Sequence, residues 1–167
     1  MKISEPQIEE KQAQNYVAIR TQVPMEKLSE VIPQYIDETE AWLTDKGHEP
    51  VGVPIVRYHI IDMESELDIE VGWCTQEAVL GDERISSGII PAGKYGTLTY
   101  TDVNKGIEGN GALIQWAEAN DIEWDAWDDP KGHAFRSRVE YMLDGPDDDP
   151  NPTNWRTEVA ILIANKN

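Results

Sequence analysis

The sequence predicts an α+β fold: two βαββ units building a mainly antiparallel sheet with helices on one face. Three observations predict it. Periodicity runs strand, helix, strand, strand, and then repeats in the same order. The halves also answer each other in residues. Ala41-Trp42-Leu43 matches Gln115-Trp116-Ala117, Arg57-Tyr58-His59-Ile60-Ile61 matches Arg138-Val139-Glu140-Tyr141-Met142, and Asp68-Ile69-Glu70-Val71 matches Arg156-Thr157-Glu158-Val159. Finally, Asn154 to Ile163 alternates like a strand and carries one carboxylate, Glu158, inside an apolar run. The expected organisation is a flexible arm over 1–13 and a single domain over 14–167, its pseudo-repeats covering about 14–76 and 84–165.

The elements follow in order. Residues 1–13 are charged and lack apolar periodicity, hence the arm. Residues 15–23 alternate and are β-rich, a first strand that Pro24 ends. Leu28, Val31, Ile32, Tyr35, Ile36, Thr39, Trp42 and Leu43 keep helical spacing. Pro33 interrupts the pattern, so a short turn is expected before it and the main helix after, stopping at Gly47. Residues 53–61 and 66–74 read as a hairpin across Asp62-Met63-Glu64-Ser65. A loop over 76–83 leads to strands 84–91 and 94–101, broken at Pro91-Ala92-Gly93. The glycine-rich stretch 102–111 reads as a loop running into a weak helix start, and 112–120 as a helix with Leu113, Trp116 and Ala117 inward. An acidic loop with Trp124 and Trp127 follows, then a strand over 134–143, a turn with three prolines, and the last strand.

Composition narrows the function classes. The chain has 14 Lys and Arg against 32 Asp and Glu, a net charge of −18. Such a surface repels phosphate backbones, so direct nucleic acid binding is not expected, whereas cations and basic surfaces are attracted. Cys74 is the single cysteine, so no internal disulfide forms. No stretch has the length and apolarity of a membrane span or a secretory signal, and a cytoplasmic protein with no membrane partner is expected. His48, His59 and His133 are scattered, which gives no metal-ligand spacing. No nucleophile elbow, phosphate loop or dinucleotide fingerprint is present, and no cofactor is expected.

Alternation assigns faces. Leu67, Ile69 and Val71 share one face of their strand, and Val159, Ile161 and Ile163 one face of theirs; these are expected beneath the helices. Val139, Tyr141 and Leu143 have the same odd parity. Glu70, Glu140 and Glu158 are then expected on the helix-free face. Glu140 would pair with Arg138 or Arg156, and Glu70 with Arg57 or Arg84. Trp42 and Trp116 are helix core.

Several short motifs, in order, carry a resemblance. They are Ala18-Ile19-Arg20-Thr21; Gly52-Val53-Pro54 with Arg57-Tyr58-His59; Leu67-Asp68-Ile69-Glu70-Val71-Gly72; Pro91-Ala92-Gly93-Lys94-Tyr95; Arg138-Val139-Glu140-Tyr141; and Asn151 to Val159. Together they make residues 15 to 163 resemble the GyrI-like small-molecule-binding domain family, also met as effector-binding domains of multidrug-responsive bacterial regulators. The resemblance implies a duplicated βαββ fold with an aromatic-lined ligand cleft between the halves. It implies that the acid of the Trp-x-Thr-Glu motif, here Glu158, lies in that cleft and pairs with cationic aromatic ligands. It also implies a stand-alone member, since a DNA-binding helix-turn-helix has no room before Asn15. The stretch Lys105 to Gly111 lacks the aromatic that the family often has there.

A carboxylate ringed by aromatics suits a flat cation through charge, stacking and cation–π attraction. Tyr58, Trp124, Trp127, Trp155 and Tyr141 are the candidate ligand-binding aromatics, with Glu158 as charge partner and Glu140 as a second acid. Tyr58 and Trp155 divide evenly between core and pocket, the parity of Tyr141 favours core, and two loop tryptophans suit a wall or lid. The expected function is binding or sequestration of lipophilic, cationic aromatic compounds in xenobiotic tolerance. One alternative, implied by the resemblance, is hydrolysis of reactive cyclopropane-bearing, DNA-alkylating natural products, with Glu158 as the catalytic acid or base. Another is an acidic inhibitor whose protein partner is a DNA-handling enzyme such as gyrase.

Overall fold

The computed structural model describes residues 2–165. Met1 of the expected arm and Lys166 and Asn167 of the expected domain lie outside the described residues. Strands β1 (Gln7–Lys11), β2 (Gln14–Val23), β3 (Val51–Ile61), β4 (Leu67–Thr75), β5 (Ile85–Ile90), β6 (Gly93–Thr101), β9 (Arg138–Met142) and β10 (Arg156–Leu162) form one antiparallel path in the order β1-β6-β10-β9-β3-β4-β2-β5. The hairpin β7 (Ala126–Asp129) and β8 (Gly132–Phe135) joins this sheet through β3. Helices α1 (Leu28–Asp45) and α2 (Gly106–Ala119) complete the α+β fold.

The strand order reads the same from both ends. In the first half β4 lies between β2 and β3; in the second β10 lies between β6 and β9. Strands β3 and β9 meet at the centre. Each outer edge is closed by a strand from the other half's side of the sequence: β1 caps β6, and β5 caps β2.

The expected arm is therefore corrected. Residues 7–11 pair in full register with β6, Gln7 opposite Thr97 and Lys11 opposite Gly93, and Ile3 bridges Tyr100. A segment that reads as polar in isolation becomes ordered because its backbone groups complete an otherwise open sheet edge.

Both helices start earlier than expected. Helix α1 runs unbroken through Pro33. Leu28, Val31 and Ile32 before the proline pack in the same cluster as Tyr35 and Ile36 after it, against Val56, Ile69 and Val71. Burial of that continuous stripe outweighs the one hydrogen bond lost at the proline. Helix α2 takes in Gly106, Gly109 and Gly111. A Cβ on Gly109 would lie 2.8 Å from Cδ1 of Tyr100, so this glycine lets the helix approach the sheet.

Apolar clusters show which face each strand residue takes. Val159 and Ile161 pack with Leu98 and Leu113 of α2, and Leu67, Ile69 and Val71 pack under α1, as alternation predicts. The other face is lined by Tyr16, Ala18, Ile55, Ile90, Tyr95, Val139, Tyr141, Ala160 and Leu162. Strand β9 departs from the parity reading. Glu158 stands opposite Tyr141, and Val159 opposite Glu140. Directly opposed residues share a face, so odd positions of β9 go with even positions of β10. Val139 and Tyr141 therefore lie on the helix-free face and Glu140 lies beneath the helices.

Candidate functional site

Alternation in β10 brings Glu158 to the helix-free face, where its carboxylate lines a cavity of about 410 Å³. The other walls are Tyr141 and Leu143, Val53 of β3, and the β1–β2 connection Lys11, Gln12, Ala13 and Gln14. The volume falls in the range of small-molecule sites, and the lining is mixed, with Lys11, Gln12, Gln14 and Glu158 beside Ala13, Val53, Tyr141 and Leu143. The Tyr141 hydroxyl donates to Gln14 Oε1 at 3.1 Å, which ties this connection to β9. Burial pushes the Tyr141 phenol well above its usual range, so the ring is a neutral wall.

One charged side chain already touches Glu158. Lys11 Nζ is 3.4 Å from Glu158 Oε1 and stands 5.0 Å above the Tyr141 ring centroid. The two side chains are 21% and 20% exposed, so the pair is reached by solvent without being surface-bound.

The first half places Glu70 at the corresponding point of β4. It is 4% exposed. The Tyr16 hydroxyl donates to Oε1 at 2.5 Å, the Ser86 hydroxyl donates to Oε2 at 2.6 Å, and His59 Nε2 lies 2.5 Å from Oε1. Burial alone would raise this carboxyl, but the bonds from His59, Ser86 and Tyr16 outweigh it and hold the pKa at about 2. The expected arginine partners are corrected. Arg57 donates to the Tyr16 hydroxyl and to the carbonyls of Ile89 and Arg136, and Arg84 pairs with Glu38.

The remaining candidates scatter. Glu140 accepts from the Tyr58 hydroxyl at 2.8 Å and from Asn110 Nδ2 at 3.1 Å, beneath the helices. Arg138 holds the same Asn110 through Oδ1, and Arg156 pairs with Asp144, so neither arginine bonds Glu140. Tyr58 belongs to the α1 core, and burial followed by the Glu140 charge keeps its phenol neutral. Trp124 packs on the α2 side, where its ring closes over Gly96. Trp127 is 49% exposed on β7. Trp155 donates from Nε1 to the Asp149 carbonyl and fastens the proline turn. Of the candidate site residues, Glu158 and Tyr141 line this cavity, and Tyr58, Trp124, Trp127, Trp155 and Glu140 lie outside its lining.

Sequence reasoning missed Lys11, Gln12, Gln14, Val53 and Leu143. Lys11 and Glu158 are 147 positions apart, and their meeting follows from the β1–β6 pairing. Among the described residues, no group of three His, Cys, Asp or Glu side chains is placed to hold a metal ion. No helix there is long and apolar enough to cross a membrane.

Comparison with known proteins adds a family and a set of folds. The family model described as GyrI-like small molecule binding domain matches residues 4–164. The isolated C-terminal domain of EcmrR superposes with a TM-score of 0.74 at 16% identity, over 97% of this chain and 98% of that one. EcmrR solved with DNA gives 0.73 at 17% identity; 99% of this chain is covered but only 59% of EcmrR. SAV2435, solved bound to tetraphenylphosphonium, gives 0.60 at 10% identity over 96% and 94% of the two chains. No curated protein sequence matches the chain.

Proposed function

The chain belongs to the GyrI-like small molecule binding domain family, and on that premise we propose that it binds or sequesters lipophilic, cationic aromatic compounds at the Glu158 cavity. The observation that carries this reading is the carboxylate itself: Glu158 borders a cavity of about 410 Å³ beside the Tyr141 ring and the apolar side chains of Val53 and Leu143. A carboxylate next to an aromatic face attracts a delocalised cation by charge and by the ring quadrupole. The net charge of −18 raises the local concentration of any cation. SAV2435, of similar fold, was solved with such a cation.

Titration calorimetry with tetraphenylphosphonium tests the proposal. Saturable binding is expected, and Glu158→Gln should weaken it about tenfold, the loss of one partly buried charge interaction. Unchanged affinity in Glu158→Gln would sink the site. Calorimetry suits the question better than intrinsic fluorescence, because no tryptophan lines this cavity.

A further inference from the structure

We propose that Lys11 is a tethered cation that holds the ligand position against Glu158, so that the site selects cations able to displace it. The inference rests on the reading of the Glu158 cavity as a ligand site and goes one step into its selectivity.

The Lys11 ammonium makes both contacts a lipophilic cation would seek. It is 3.4 Å from the Glu158 carboxylate and 5.0 Å from the Tyr141 ring centroid. It also lines the cavity. Its backbone is fixed: Lys11 ends β1, opposite Gly93 of β6. The side chain is not fixed to the same degree, since four rotatable bonds separate the ammonium from that backbone.

A second acceptor is in reach. Glu9 Oε2 lies 3.8 Å from Lys11 Nζ. Glu9 is itself held, with Oε1 accepting from Thr97 Oγ1 at 3.1 Å and from Gln7 Nε2 at 2.7 Å. An incoming cation therefore does not leave Lys11 unpaired: Lys11 keeps its ion pair with Glu9 and gives up the one with Glu158, which the ligand takes. Each acid then keeps a cationic partner, so displacement is feasible. A small hydrated cation gains nothing by the exchange, because it brings no apolar surface to the cavity walls. A large aromatic cation gains burial against Tyr141, Val53 and Leu143. A neutral aromatic molecule leaves Lys11 where it is.

The test compares wild type, Lys11→Met and Glu9→Gln by calorimetry with two probes, tetraphenylphosphonium and the neutral triphenylphosphine oxide. Lys11→Met keeps a side chain of similar length without charge. It should tighten tetraphenylphosphonium about tenfold and leave triphenylphosphine oxide within about twofold. Glu9→Gln should weaken tetraphenylphosphonium a few-fold. Reductively methylated protein gives a direct readout: the Lys11 methyl carbon resonance should lose its ring-current shift when tetraphenylphosphonium is added. If Lys11→Met binds tetraphenylphosphonium no tighter than wild type while Glu158→Gln weakens it, the tethered cation is refuted and the ligand site stands. If Glu158→Gln is also without effect, or no variant binds, the ligand site falls and the tethered cation with it.

Discussion

Glu70 and Glu158 hold equivalent places in the two halves of the sheet, each on the middle strand of its half and each on the helix-free face. Each is also met by a side chain from the swapped edge strand: Ser86 of β5 reaches Glu70, and Lys11 of β1 reaches Glu158. The surroundings then diverge. Glu70 is 4% exposed and takes short bonds from three neutral or titratable donors. Glu158 faces a cavity and has a charged, long-stemmed neighbour at 3.4 Å. Across the strand pair, Glu70 faces Arg57 whereas Glu158 faces Tyr141. A buried acid becomes structural when enough fixed donors satisfy it. The same acid stays available to a ligand when its one partner is flexible and replaceable.

The largest separation between the two sites should appear in stability. Glu70→Ala strands the Tyr16 and Ser86 hydroxyls and His59 in a buried setting, and should cost about 3 kcal/mol, read as the urea midpoint at constant slope. Glu158→Ala should cost less than about 1 kcal/mol, as expected for a part-exposed pair. Equal costs would erase the distinction between a structural and an available acid.

Acid titration sharpens the same contrast. The folded Glu70 carboxyl sits at about 2, below its ordinary value of 4.5. The unfolded chain therefore binds more protons as pH falls through this range, and stability drops. The contribution of Glu70 is fully present above about pH 4.5 and is lost progressively toward pH 2, a loss of roughly 3 kcal/mol. Denaturation midpoints measured across this window should fall steeply in wild type and more shallowly in Glu70→Gln. The groups that face the carboxylate are Tyr16 of β2, His59 of β3 and Ser86 of β5, so a His59→Gln variant separates the histidine's part from the rest.

Much of the fold was legible because it is written in local periodicity. The alternation of Glu158 with Val159 and Ile161, and of Glu70 with Ile69 and Val71, placed both acids on the correct face. What was not legible depended on pairing between distant segments. The face of Glu140 turns on the β9–β10 register, and parity within one strand says nothing of the numbering in its neighbour. Strand β1 lacks an apolar pattern because it is an edge whose order comes from β6. The first turns of α2 were hidden by glycines whose role is close approach to Tyr100. Trp124 looked like a loop residue free to cover a cleft, but it is absorbed by the α2 side of the core. Alternation singled out Glu158 and the family resemblance gave it a ligand role, whereas only the fold supplied Lys11.

The smallest expected effect concerns the two tyrosines beside the acids. The Tyr16 hydroxyl donates to Glu70 at 2.5 Å and accepts from Arg57 Nη1 at 3.0 Å, so it bridges an anion and a cation in the core. Removing it in Tyr16→Phe leaves a buried carboxylate short of a donor, and should cost about 1–2 kcal/mol in the urea midpoint. The Tyr141 hydroxyl donates to the neutral amide oxygen of Gln14 at 3.1 Å, and both residues line the cavity. Tyr141→Phe should therefore stay within about 0.5 kcal/mol and, because the ring remains, should leave tetraphenylphosphonium affinity within about twofold. A Tyr141→Phe variant as destabilised as Tyr16→Phe would mean that the Glu158 side of the sheet is held as tightly as its counterpart, and a site gripped that firmly would have little freedom to exchange Lys11 for a ligand.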